Sequence, residues 1–224
     1  MQSCRISRDG TELILLDNPE GLPQVVHWGA PLGTVSDTDL AAANQRGVSF
    51  SALDEAWPLT VLPTDRDGWQ GRPALVARSE DRILDQQWTD VQVSATEHEI
   101  TVRATLAPQF FGPDDAAPAL SLELRYTVNT AGVVEVFQRV TNTGSAQVEV
   151  AALEAVLPVG DVAAEVLDFS GRWIRERAPQ RTAFTEGSRV RETRRGRTGH
   201  DSPLATFVHR WRSSGALGPE FAEG

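Results

Sequence analysis

Residues 120–128 read LSLELRYTV and alternate without exception. Leu120, Leu122, Leu124, Tyr126 and Val128 carry one face; Ser121, Glu123, Arg125 and Thr127 carry the other. Side chains along an extended chain point to opposite faces in turn, so this period of two predicts a strand with one face in a core and one in water. A helix would scatter the same residues around its circumference. The turn-forming NTAG at 129–132 follows, and VVEVFQRVTN resumes the alternation at 133–142. Together they predict an antiparallel hairpin.

LPQVVHWG (22–29), QWTDVQVSA (87–95), EITVRATL (99–106) and, after the loop TNTGSAQ, VEVAALEAVLPV (148–159) behave the same way. Strands at this spacing, separated by Gly, Pro, Asn and Asp, predict an all-β antiparallel sandwich. One short helix is expected in DTDLAAANQRG (37–47), with Asp37 or Thr38 as its N-cap and Gly47 ending it. Residues 54–74 carry Pro58, Pro63, Gly68, Gly71 and Pro73 and read as a long loop of functional or interface type. No internal repeat and no interdomain linker is visible in the sequence.

Composition removes several classes of function. Hydrophobic content of 40% and charged content of 23% are those of a soluble globular protein. No apolar run approaches a bilayer span, and MQSCRISRDGTELILLDNPEG lacks the order of a signal peptide, so a cytoplasmic protein without a membrane partner is expected. Cys4 is the single cysteine, which rules out an intrachain disulfide. All 21 basic side chains are arginine, the bland cause being a GC-rich genome; Schiff-base and phosphate-loop lysines are thereby excluded. His27, His98, His200 and His209 stand at no metal-ligand spacing, so neither metal nor cofactor is expected. The G-x-S-x-G elbow and the cysteine–histidine signature are both missing. Glycoside hydrolysis needs only two carboxylates, but none of the 31 acids is singled out, and Asp114–Asp115 in FFGPDDAAP reads as a solvated loop. No catalytic residue is expected within the chain.

The charge distribution has one local exception. Between Arg172 and Arg197 nine arginines face Glu176, Glu186 and Glu192, a surplus of +6 in a chain of net charge −10. The remaining 12 arginines and 28 acids leave −16. A nucleic-acid binder gains its affinity by neutralising phosphates, and so acidic a body would repel a polyanion. Trp173, Pro179, Phe184, Gly187, Gly196 and Pro203 punctuate the run as spaced structural positions. Pairing of the arginine forks with carboxylates nearby or on another subunit is expected instead, with no nucleic-acid partner.

The same segment, GRWIRERAPQR…GSRVRETRRGRTGHDSPL, resembles the end of the N-terminal β-domain of glycoside hydrolase family 36, the bacterial α-galactosidases. There a G-x-W segment precedes an arginine-rich stretch and an S-R-R-G…H-x-x-(N)-P element; Thr193 stands here where serine is common. LPQVVHWGAPLG (22–33) and ALDEAWPLTVLPTDRDGWQGRPAL (52–75) match more weakly. The resemblance implies an antiparallel β-supersandwich, galactose-mutarotase-like, over residues 1–207, packed in the family against a catalytic (β/α)8 barrel. It implies retaining hydrolysis of terminal α-galactosides by two barrel aspartates. The family nucleophile lies in a K-W-D motif, which a chain without lysine cannot contain, so the barrel is absent from this chain. The family also implies a homo-oligomer at full length, with α-galactoside as its substrate partner.

Two residues are carried over as substrate contacts. Trp173, the tryptophan of G-x-W, matches a position that reaches the galactose site, where an apolar platform suits a sugar face; a core or interface aromatic is the other reading. Asp54, in ALDEAWP, is the candidate for an N-terminal-domain aspartate that contacts substrate, often across a subunit boundary. Residues 208–224, Val208 followed by HRWRSSGALGPEFAEG, leave the family pattern, and an irregular tail is expected there, from a frame shift or truncation near Val208. The alternative function is a stand-alone carbohydrate-binding or interaction module on the same sandwich.

Overall fold

The computed structural model describes residues 1–45, 59–69, 71–109, 117–159, 163–185, 187, 189–191 and 206–210. The chain divides into two compact units, Met1–Pro158 and Val159–Gly224. All pairing between strands in both is antiparallel.

The first unit holds three sheets. One runs in the order β1 (Ser3–Arg8), β2 (Thr11–Leu16), β3 (Gln24–Gly29). A second joins β4 (Leu75–Ser79) to β5 (Arg82–Ile83) on one side and β10 (Glu149–Leu153) on the other. The third is a four-stranded meander of β6 (Trp88–Ala95), β7 (Glu99–Leu106), β8 (Leu120–Val128) and β9 (Val134–Asn142). The alternation of 120–128 is realised residue by residue: the five apolar side chains enter the core and the four polar ones stay half-exposed. Ile100 and Val102 of β7 join them, opposed by Ile6, Leu13 and Leu15 of the first sheet. Each such side chain contributes about 1.5–3 kcal/mol when removed from water. Tyr126 lies wholly inside, its hydroxyl 3.4 Å from the Val61 carbonyl, and burial raises its pKa, so the phenol stays a donor.

Several expectations need revision. The helix α1 (Asp37–Ala43) is capped by Ser36, whose hydroxyl accepts from the Asp39 amide at 3.1 Å, rather than by Asp37 or Thr38. Asp37 is engaged elsewhere, its carboxylate accepting from the Ser3 hydroxyl at 2.5 Å and the Ser3 amide at 3.2 Å. The helix closes at Asn44, before the expected Gly47, which lies outside the described residues. Of the loop expected at 54–74, the described part is no surface excursion: Leu59, Val61, Leu62 and Ala74 are buried. Its amides and carbonyls pair with the start of β3 and the residue before it, Val25 N with Leu59 O at 3.1 Å and Val61 N with Pro23 O at 2.9 Å. The strand expected over 148–159 stops at Leu153, and Val156 and Leu157 pack on the core from irregular chain.

The described residues of the second unit form a three-stranded sheet with β11 (Ala163–Arg172) between β12 (Arg175–Ala183) and β13 (Thr206–Arg210). β13 pairs with β11 from Thr206 opposite Asp168 to Arg210 opposite Ala163.

Candidate functional site

Unlike the strands of the sandwich, β12 exposes almost every residue. It and β11 form a hairpin whose register runs from Glu165 opposite Ala183 to Ser170 opposite Ala178, slips at a bulge, and closes with Arg172 opposite Arg175. The tip is Trp173–Ile174, exposed to 75% and 84%. Large apolar side chains exposed side by side at a turn mark a candidate contact surface. Ile174 also holds a φ of 71° and Arg177 one of 57°. For a β-branched residue that region costs on the order of 1–3 kcal/mol, and such strain concentrates at working sites. The G-x-W tryptophan therefore lies at an exposed hairpin tip.

The arginines around it fall into two groups. Arg172, Arg175 and Arg177 flank the tip and are exposed. Arg181 pairs with Glu165 of β11 at 3.0 Å, and Arg189 pairs with Asp168 of β11 at 3.1 Å. Arg189 also donates to the Thr182 hydroxyl, and Arg191 to the Phe169 carbonyl. The expected carboxylate pairing of the run is therefore met inside this unit for two arginines. Arg194, Arg195, Arg197 and the GRTGHDSP element lie outside the described residues, as does Asp54.

Asp168 was not marked by the sequence reading. It is 1% exposed in the middle of β11, two residues after the buried Val166, and so occupies an inward position of the alternation. A charged residue on the apolar phase of a strand is the signal that finds it.

Elsewhere the outer face of the meander centres on Glu123, which accepts from Arg139 at 2.9 Å and Arg103 at 3.1 Å, with Arg125 at 3.6 Å. Arg125 lies 4.3 Å from the Phe137 ring centre, a cation–π contact. Among the described residues, no group of three or more His, Cys, Asp or Glu side chains is arranged to hold a metal, and no helix is long and apolar enough to cross a membrane.

An open antiparallel β-supersandwich that exposes an aromatic hairpin tip defines the class of all-β domain present here. The N-terminal domain of glycosyl hydrolase family 36 matches residues 21–215, and the chain belongs to that family. It is 30% identical to an Escherichia coli α-galactosidase over 205 residues, which cover 92% of this chain and 27% of that protein. The chain thus spans about a quarter of the length of this relative. The α-galactosidase AgaA of Geobacillus stearothermophilus, solved in complex with raffinose, superposes with a TM-score of 0.69 at 16% identity, over 92% of this chain and 31% of that one. An α-galactosidase of Lactobacillus brevis gives a TM-score of 0.54 at 18% identity, over 83% and 28%. At these identities the structural likeness establishes the fold.

Proposed function

We propose that the chain serves as the N-terminal, non-catalytic part of an α-galactosidase that hydrolyses terminal α-D-galactosides in carbohydrate catabolism in the cytoplasm. In this role it supports a catalytic barrel, contributes oligomer contacts and supplies part of the rim of the galactoside pocket. The observation that carries the reading is the exposed Trp173 at the end of a strained hairpin, within a chain whose family match runs over residues 21–215. An indole face buries the apolar side of a pyranose, and the flanking arginines offer donors to its hydroxyls. Asp54 is the second proposed contact.

The carboxylate pair that cleaves the glycosidic bond belongs, on this reading, to the barrel. The purified chain should therefore show no turnover of an aryl α-galactoside, and calorimetry with galactose and raffinose should show no heat of binding. Turnover that disappears in Trp173→Ala would contradict the assignment. Saturable binding without turnover would favour the second reading, a carbohydrate-binding module, for which the solvent-exposed Trp173 is the supporting observation.

A further inference from the structure

We propose that Asp168 and Arg189 form a latch that positions Trp173, by clamping both strands of the hairpin that carries it. The inference rests on the reading of Trp173 as a sugar contact for its purpose, though not for its test. The Arg189 guanidinium reaches Asp168 Oδ2 through Nε at 3.3 Å and Nη2 at 3.1 Å, while Nη1 donates to the Thr182 hydroxyl. Asp168 lies on β11 and Thr182 on β12, so one planar fork bridges the two legs. Arg191, two residues on, donates to the backbone carbonyl of Phe169 and holds the same segment along β11.

The hairpin needs such a clamp. β12 buries almost none of its side chains, and a hairpin with few apolar contacts belongs to the part of a protein that opens most readily. Trp173 follows Asp168 by five residues, roughly 16 Å along a strand at about 3.3 Å per residue. The pair therefore acts on the tryptophan through the stiffness of the hairpin and does not touch a sugar bound at the tip. Its carboxylate is enclosed, so loss of the arginine removes the fork that neutralises a buried charge and ties it to β12, which favours opening. Lysine at 189 would keep the charge and lose the bridging fork.

The test uses the whole chain with its six tryptophans replaced by 5-fluorotryptophan, the Trp173 signal being assigned by Trp173→Phe. In Arg189→Gln and in Arg189→Lys, fluorine NMR should show the Trp173 signal shifted and sharpened, while those of Trp28, Trp69 and Trp88 in the first unit stay in place. Amide exchange over 170–178 should accelerate at least tenfold with no change in β8. Asp168→Asn should repeat both effects; if it fails to fold, the two arginine variants decide. An unchanged Trp173 signal with unchanged exchange would overturn the latch, and so would concerted movement of every tryptophan signal. These readouts need no sugar, so a failure of the α-galactoside reading leaves them intact and a failure of the latch leaves that reading intact.

Discussion

Glu123 shows how much a single side chain on a strand surface organises. It sits on the polar phase of β8, opposite Arg103 on one neighbouring strand and Arg139 on the other. The Arg139 hydrogen bond lowers its pKa most, Arg103 adds to the effect, and partial burial opposes both. A carboxylate with a depressed folded-state pKa contributes stability above its unfolded value, here near the ordinary 4.5, and loses it as pH falls through the lower folded value. Glu123→Gln should therefore lower stability at neutral pH and flatten the acid limb of the stability–pH curve below about 4.5, where the parent loses this contribution. Urea unfolding across the acid range measures it; an acid limb as steep as that of the parent would show that the arginine cluster has no such linkage. Tyr126, on the other face of the same strand, illustrates the opposite environment: burial alone moves its pKa, upward.

Strands that face both core and water were legible because their alternation is a direct image of the pleat; β7 and β8 span the residues read from the sequence, and β9 begins one residue later. β2 was not legible, since TELILL buries both faces from Glu12 onward and so loses its period. A neighbouring signal was available: Asp9–Gly10, at φ values of 47° and 79°, is an Asp-Gly hairpin turn between β1 and β2. β11 and β12 escaped for a third reason, because a hairpin exposed along one strand has little apolar phase to read. Trp173 was a candidate through its G-x-W setting, whereas Asp168 needed the position of its strand to be known first. Turns also carry tertiary constraints invisible in sequence. Gly132, between β8 and β9, has a φ of 69°, and a Cβ there would lie 2.9 Å from the Asp9 carbonyl oxygen. Gly132→Ala should cost about 1–2 kcal/mol from the left-handed backbone alone, with the clash adding to it. Chemical denaturation reads this directly, and a loss of only a few tenths would mean that the two turns separate freely.

At the scale of the molecule, the sandwich and the arginine-bearing hairpin unit divide the work. The first unit owes its stability to a continuous apolar core, and the second exposes its distinctive residues. Strain at Ile174, a tip tryptophan in water and a buried aspartate under an arginine fork all reduce stability in isolation. On the proposed function they make sense together as the presentation of Trp173 to a ligand held by other parts of a larger enzyme. The most direct test is a hybrid in which this chain replaces the corresponding region of the Escherichia coli α-galactosidase, with hydrolysis of an aryl α-galactoside followed before and after Trp173→Ala. The account predicts an active hybrid whose KM rises about tenfold in the variant, equivalent to about 1.4 kcal/mol of lost binding, with kcat within about a factor of two. An active hybrid whose KM is the same with and without the Trp173 indole would contradict it.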